Sequence, residues 1–100
     1  MQTLQLPRLV GSRESAVALV SSLPSRLNGE QVVVVSRDLV SGSPSFADEL
    51  VVELLARRQA DRVVVVGAYD DFATYVTDSA ARHDVAHRLD LRPAGSEVGT

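Results

Sequence analysis

Cysteine, lysine and tryptophan are missing from this 100-residue chain. Without cysteine there is no disulfide, no thiolate nucleophile and no zinc site built on sulfur. Without lysine, all ten cations are arginine, which excludes Schiff-base chemistry and a P-loop lysine within the chain. No apolar run approaches the roughly 20 residues that cross a bilayer, and the N-terminus has no basic flank ahead of an apolar signal core, so a cytoplasmic protein is expected. A net charge of −3 and a pI near 5.2 give no basic field for gathering nucleic acid. What is present is ordinary globular material, 45% hydrophobic and 23% charged. A chain of this size buries roughly 65% of its unfolded surface, enough for one core and no more.

The pattern changes along the chain from alternating to helical and back. Thr3 to Leu6 reads as a short strand ended by Pro7. From Ser12, which can cap, Ala16, Leu19, Val20 and Leu23 recur at helical spacing until Pro24, and Asn28-Gly29 turns the chain. Val32–Val35 and Val63–Val66 are unbroken β-branched runs, which implies central strands covered on both faces. A second helix is expected from Ser45 to Arg58, with Phe46, Leu50, Val51, Leu54 and Leu55 as its apolar stripe. A third, capped by Asp70 or Asp71, carries Phe72, Val76 and Ala80, and Val85–Leu91 reads as a last strand. The expectation is a single α/β domain in the order β-α-β-α-β-α-β, with a central mixed four-stranded sheet and three helices.

Ser43-Pro44-Ser45-Phe46-Ala47-Asp48-Glu49-Leu50 is the segment with most functional content. It places two hydroxyls, a proline and two carboxylates at the start of the second helix. Helix initiation alone accounts for these residues: Pro44 behind a Ser43 cap, or Ser45 capping with Asp48 three residues on, with Asp48 and Glu49 favouring the positive end of the dipole.

A valine-rich strand followed by Ser45-Phe46-Ala47-Asp48-Glu49-Leu50 also resembles the STAS-like domain family, relatives of the STAS domains of anti-sigma-factor antagonists. The resemblance is strongest over Val32 to Leu55 and extends to Gly11-Ser12-Arg13 and Val63–Gly67. It implies a STAS-like domain over residues 1–92, while Pro93 to Thr100, containing Gly, Pro and Ser with almost no apolar content, reads as a flexible tail at 93–100. It also implies a non-enzymatic regulatory module that docks a GHKL-type ATPase or kinase, or an anti-sigma factor, and is switched by serine phosphorylation. In the antagonists an aspartate and two serines precede a glycine; here that aspartate and glycine are lacking. One alignment puts the modified position on Ser45, another on Pro44, which has no hydroxyl. Ser45 and Ser43 are thus the candidate phosphorylation sites, and Phe46, Asp48 and Glu49 the candidates for partner binding. No cofactor and no metal are implied.

Other constellations have simpler readings. Asp70-Asp71 suggests half of a receiver-domain acid pocket, but the lysine such a pocket needs is missing, which leaves capping. Gly67 after its valine run has no further glycines at dinucleotide-fingerprint spacing. His83 and His87 have metal spacing only on a helix, and no further ligand is near. Ser45, a histidine and an aspartate make a triad on paper without a nucleophile elbow. Two competing readings remain: a small-ligand or catalytic domain using Ser36-Arg37-Asp38 and Gly67–Asp71 at the strand ends, and a structural homodimer subunit.

Overall fold

Uninterrupted valine belongs in the middle of a sheet, and both runs are found there. In the computed structural model, which describes residues 1–93, the chain runs β1 (Gln2–Gln5), β2 (Leu9–Val10), α1 (Arg13–Val20), β3 (Gln31–Val35), β4 (Ser41–Gly42) and α2 (Pro44–Val51). A π-helical turn (Val52–Arg57) continues α2, and β5 (Arg62–Val66), α3 (Asp70–Arg82), a 3-10 turn (Ala86–Arg88) and β6 (Leu89–Arg92) follow. The main sheet has the order β1-β3-β5-β6. Val32–Val35 lie opposite Val63–Val66 residue for residue.

The molecule is α/β with three helices, as expected, but the sheet is not mixed: every neighbouring pair in it is parallel. Each new strand is reached through one helical crossover, and a crossover returns the chain in the same direction. Because the strands are laid down in chain order, successive right-handed crossovers put their helices on one face. The core reflects this. Ala16 and Val20 of α1, Phe46, Leu50 and Leu54 of the second helix, and Phe72, Val76 and Ala80 of α3 join Leu4, Val32, Val34, Val63 and Val65 in one cluster. On the opposite face Val33, Val64 and Val66 form a smaller buried cluster, with no helical residue among the described residues. The valines are buried on both faces, while among the described residues the helices pack on one of them.

Helix ends correct several sequence expectations. Ser12 caps α1 as anticipated, accepting from the Ser15 N–H at 3.1 Å. Helix α3 starts behind Tyr69 with no side-chain cap, so Asp70 and Asp71 lie in its first turn instead, where their charge favours the dipole. It ends on Asp84, at φ 61, with Val85 N–H donating to Ala80 O at 2.9 Å and Asp84 N–H to Ala81 O at 3.2 Å. That turn consumes Val85, which is why the last strand begins at Leu89. Arg88 then donates to Ala60 O and Leu55 O at 2.7 and 2.8 Å, pinning the entry to β6. The expected tail at 93–100 lies, from residue 94 on, outside the described residues.

Candidate functional site

At the start of α2, where the sequence places its candidate residues, a second, smaller sheet holds the chain. Strands β2 and β4 form a two-stranded parallel ribbon, with Leu9 opposite Ser41 and Val10 opposite Gly42. Nothing in the sequence marked it, because two-residue strands carry no periodicity. Tyr69 fixes it: its hydroxyl accepts from Gly42 N–H at 3.0 Å and donates to Gly42 O at 3.2 Å. Gly42 has no room for a side chain, since a Cβ there would stand 2.9 Å from Phe72 Cδ1.

Helix α2 then begins with its donors almost fully assigned. Ser43 N–H donates to Val10 O at 3.0 Å, Pro44 has no N–H, and the Ser43 hydroxyl accepts from Phe46 N–H at 3.0 Å. Of the two capping arrangements compatible with the sequence, Ser43 with Pro44 in the first turn is the one adopted. Ser45 keeps both an exposed side chain and the one first-turn N–H without an acceptor among the described residues. The two serines therefore differ in kind: Ser43 is structural and Ser45 is free. Ser43→Ala should cost about 1 kcal/mol of stability, and Ser45→Ala less than about 0.5 kcal/mol, which paired urea titrations would resolve.

The other three candidate residues turn inward. Phe46 is 0% exposed with its ring tilted against Phe72 at 6.2 Å between centroids, so it belongs to the core and not to a contact surface. Asp48 and Glu49 are not in the first turn of α2, which contains no acid. The Asp48 carboxylate, 14% exposed, accepts from Ser79 Oγ at 2.7 Å, Arg13 Nη1 at 2.8 Å, His83 Nε2 at 3.0 Å and Arg82 Nη2 at 3.1 Å. Burial alone would raise its pKa, but the hydrogen bonds from Ser79, Arg13, His83 and Arg82 outweigh it and hold the carboxyl well below its ordinary range. Glu49, 10% exposed, receives Arg57 at 2.6 Å and Arg13 at 3.4 Å. Arg57 also pairs with the buried Glu53, one helical turn before it. Hydrogen bonds to these acids push the Arg13 and Arg57 guanidinium pKa values up. The three helices are thus cross-linked by a charge network with Asp48 as its hub.

Sequence reading missed Arg13, Arg57, Ser79, Arg82 and Tyr69. The four-residue spacing from Glu49 to Glu53 to Arg57 could have shown part of the network, whereas contacts from Asp48 to residues 31 to 35 positions away leave no local signal. His83 and His87 are both exposed, and no group of metal-ligating side chains occurs among the described residues.

Two apolar side chains stand exposed at this same end of the sheet. Leu9 is 71% and Val40 60% exposed, and Val40 N–H donates to Arg8 O at 2.8 Å, which sets the two segments side by side. At the strand ends, Gly67 is at φ 76 with Arg37 packed against it, where a Cβ would lie 2.8 Å from Arg37 Cγ. Ser36 is fully buried there, its hydroxyl without a partner. No helix is long and apolar enough to cross a membrane among the described residues. Comparison of the chain with family models, with curated proteins and with solved structures returns no match.

Proposed function

We propose that this protein is a regulatory protein-binding module of the STAS-like kind, which docks a partner through the β2–β4 ribbon and the start of α2 with Ser45 as the recognition hydroxyl. One observation carries the reading: Ser45 is exposed, with its own N–H free, at the start of the helix that directly follows the ribbon segments bearing the exposed Leu9 and Val40. Exposed apolar groups on the segments leading into an ordered polar one suit a protein contact better than a small-molecule pocket.

Phosphorylation is the switch such a surface permits. A phosphoryl group brings about −1.5 to −2 charges. At Ser45 it meets the positive end of the helix and an unused N–H. The repulsion expected from Asp48 and Glu49 is blunted because both carboxylates are already matched by arginine. The fold accommodates the charge, and a partner surface shaped for a neutral hydroxyl does not. By the family resemblance, the partner is a GHKL-type ATPase that both binds the unmodified form and modifies it.

The test is to purify the ATPase that accompanies the chain in its native cells and titrate it with wild type, Ser45→Ala and Ser45→Asp. Retained binding by the alanine variant and at least about tenfold weaker binding by the aspartate variant are expected, since one unpaired charge at an interface costs more than 1.4 kcal/mol. Incubation with ATP should place phosphate on Ser45 and leave Ser43 unmodified. Equal affinity of all three proteins, with no phosphate on Ser45, would refute the proposal.

A further inference from the structure

A second surface lies away from Ser45, along the margin of the sheet. Strand β6 is the last in the order β1-β3-β5-β6 and pairs only with β5 among the described residues. Arg92 O accepts from Gly67 N–H at 2.9 Å, so its carbonyl is turned toward β5. By the alternation of a parallel ladder, the main-chain groups of Leu89 and Leu91 are directed to the open side. An unpaired edge of this kind is a template for one more strand.

The edge is not bare. Between β6 and the outer face of α3 runs a groove of about 370 Å³ lined by Asp70, Ala73, Thr74, Thr77, Asp78 and Leu91. Its apolar lining comes from Leu91, 40% exposed, and Ala73. Its two carboxylates, Asp70 and Asp78, form no hydrogen bond or ion pair with any described residue, and no cation lines the groove. Asp48, Glu49 and Glu53 are matched by arginine, whereas, among the described residues, Asp70 and Asp78 carry their charge unmatched along one groove.

From this combination we infer that the β6 edge and the α3 groove accept an extended basic peptide by strand addition. The spacing sets the pattern. Asp78 lies eight helical steps beyond Asp70, about 12 Å at 1.5 Å per residue. Positions i and i+4 of an added strand face the same side and stand about 13 Å apart. A peptide with basic side chains at i and i+4 and a β-branched residue at i+2 therefore meets both carboxylates and lays its central side chain on Leu91. Main-chain bonding to Leu89 and Leu91 supplies affinity, and the two aspartates supply the choice of charge. The surface is separate from the docking site proposed at α2 and does not depend on it.

The experiment uses the full chain and a labelled, end-blocked peptide containing Arg-Thr-Val-Thr-Arg, followed by fluorescence polarisation and by amide chemical shifts. Saturable binding that shifts Leu89, Leu91, Ala73 and Thr77 is expected. Binding should weaken at least about tenfold when the arginines are replaced by glutamate, when backbone N–H groups facing β6 are methylated, or in the double variant Asp70→Asn with Asp78→Asn. Both aspartates are exposed, so that variant should keep its fold. No binding at millimolar peptide, indifference to charge or to backbone methylation, or a β6-to-β6 dimer that the peptide fails to dissociate would overturn the inference.

Discussion

Replacing Phe46 with alanine should remove about 3–5 kcal/mol of folding stability, a large part of the 5–15 kcal/mol that a domain commonly possesses. The ring is fully buried at the junction of α2 and α3, 6.2 Å from Phe72, which in turn lies 6.3 Å from Tyr69. Phe72 also fills the space beside Gly42, and Tyr69 holds the Gly42 backbone. The three rings thus connect the core to the ribbon that presents Ser45. Loss of Phe46 should lower the urea midpoint and loosen Gly42 together, visible as faster exchange of the Gly42 amide. A variant of wild-type stability that had lost only partner binding would instead return Phe46 to the interface, where the sequence alone allowed it.

Asp48→Asn should cost about 2–3 kcal/mol at neutral pH, because it removes the charge that four donors on two other elements share. The cost falls below the roughly 3–5 kcal/mol of a fully buried ion pair because the arginines left behind are half exposed and hydrate readily. The pH dependence follows from the depressed pKa of Asp48. A carboxyl that is more acidic folded than unfolded contributes fully above its unfolded value, about 3.9, and loses that contribution as pH falls below it. Wild type and variant should therefore differ most at pH 5 to 7, by progressively less as the pH is lowered from about 4 to 2, and converge only once the pH falls through the depressed folded pKa. Urea unfolding of both proteins across that range checks it; a constant difference would mean that Asp48 acts through shape and not through charge.

Much of the architecture was legible in the residues, and the reason is local. The valine runs, the Ser12 cap and the stripe Phe46, Leu50, Val51, Leu54 and Leu55 each express a period or a cap within one segment, and each is found where its pattern places it. Unbroken valine favours parallel neighbours for the two central strands, as found, but no residue of β1 or β6 encodes whether its neighbour runs alongside or against it. The ribbon of β2 and β4 was too short to have a pattern. The π-helical turn at Val52–Arg57, closed by Arg58 N–H on Glu53 O at 3.0 Å, has no marker at all.

The candidate site was legible in part for the same reason. Ser43-Pro44 announces a helix start, and the separation of a capping Ser43 from a free Ser45 follows once that start is fixed. Asp48 and Glu49 read as partner-binding residues at the helix start because the sequence does not display the groups that neutralise them. Arg13 is contributed by another helix, and Ser79, Arg82 and His83 by a third. Their role is to lock the helix layer, which leaves the hydroxyl and the ribbon as the parts available to a partner.

Hydrogen exchange of the chain with and without its purified protein partner is the most direct probe of that arrangement. The account predicts slowed exchange confined to the amides of Arg8 to Val10 and of Val40 to Ser45, with the outer surface of α1 unchanged. Protection centred on Arg13 to Ser21, with Ser45 exchanging as fast in the complex as in the free protein, would contradict it.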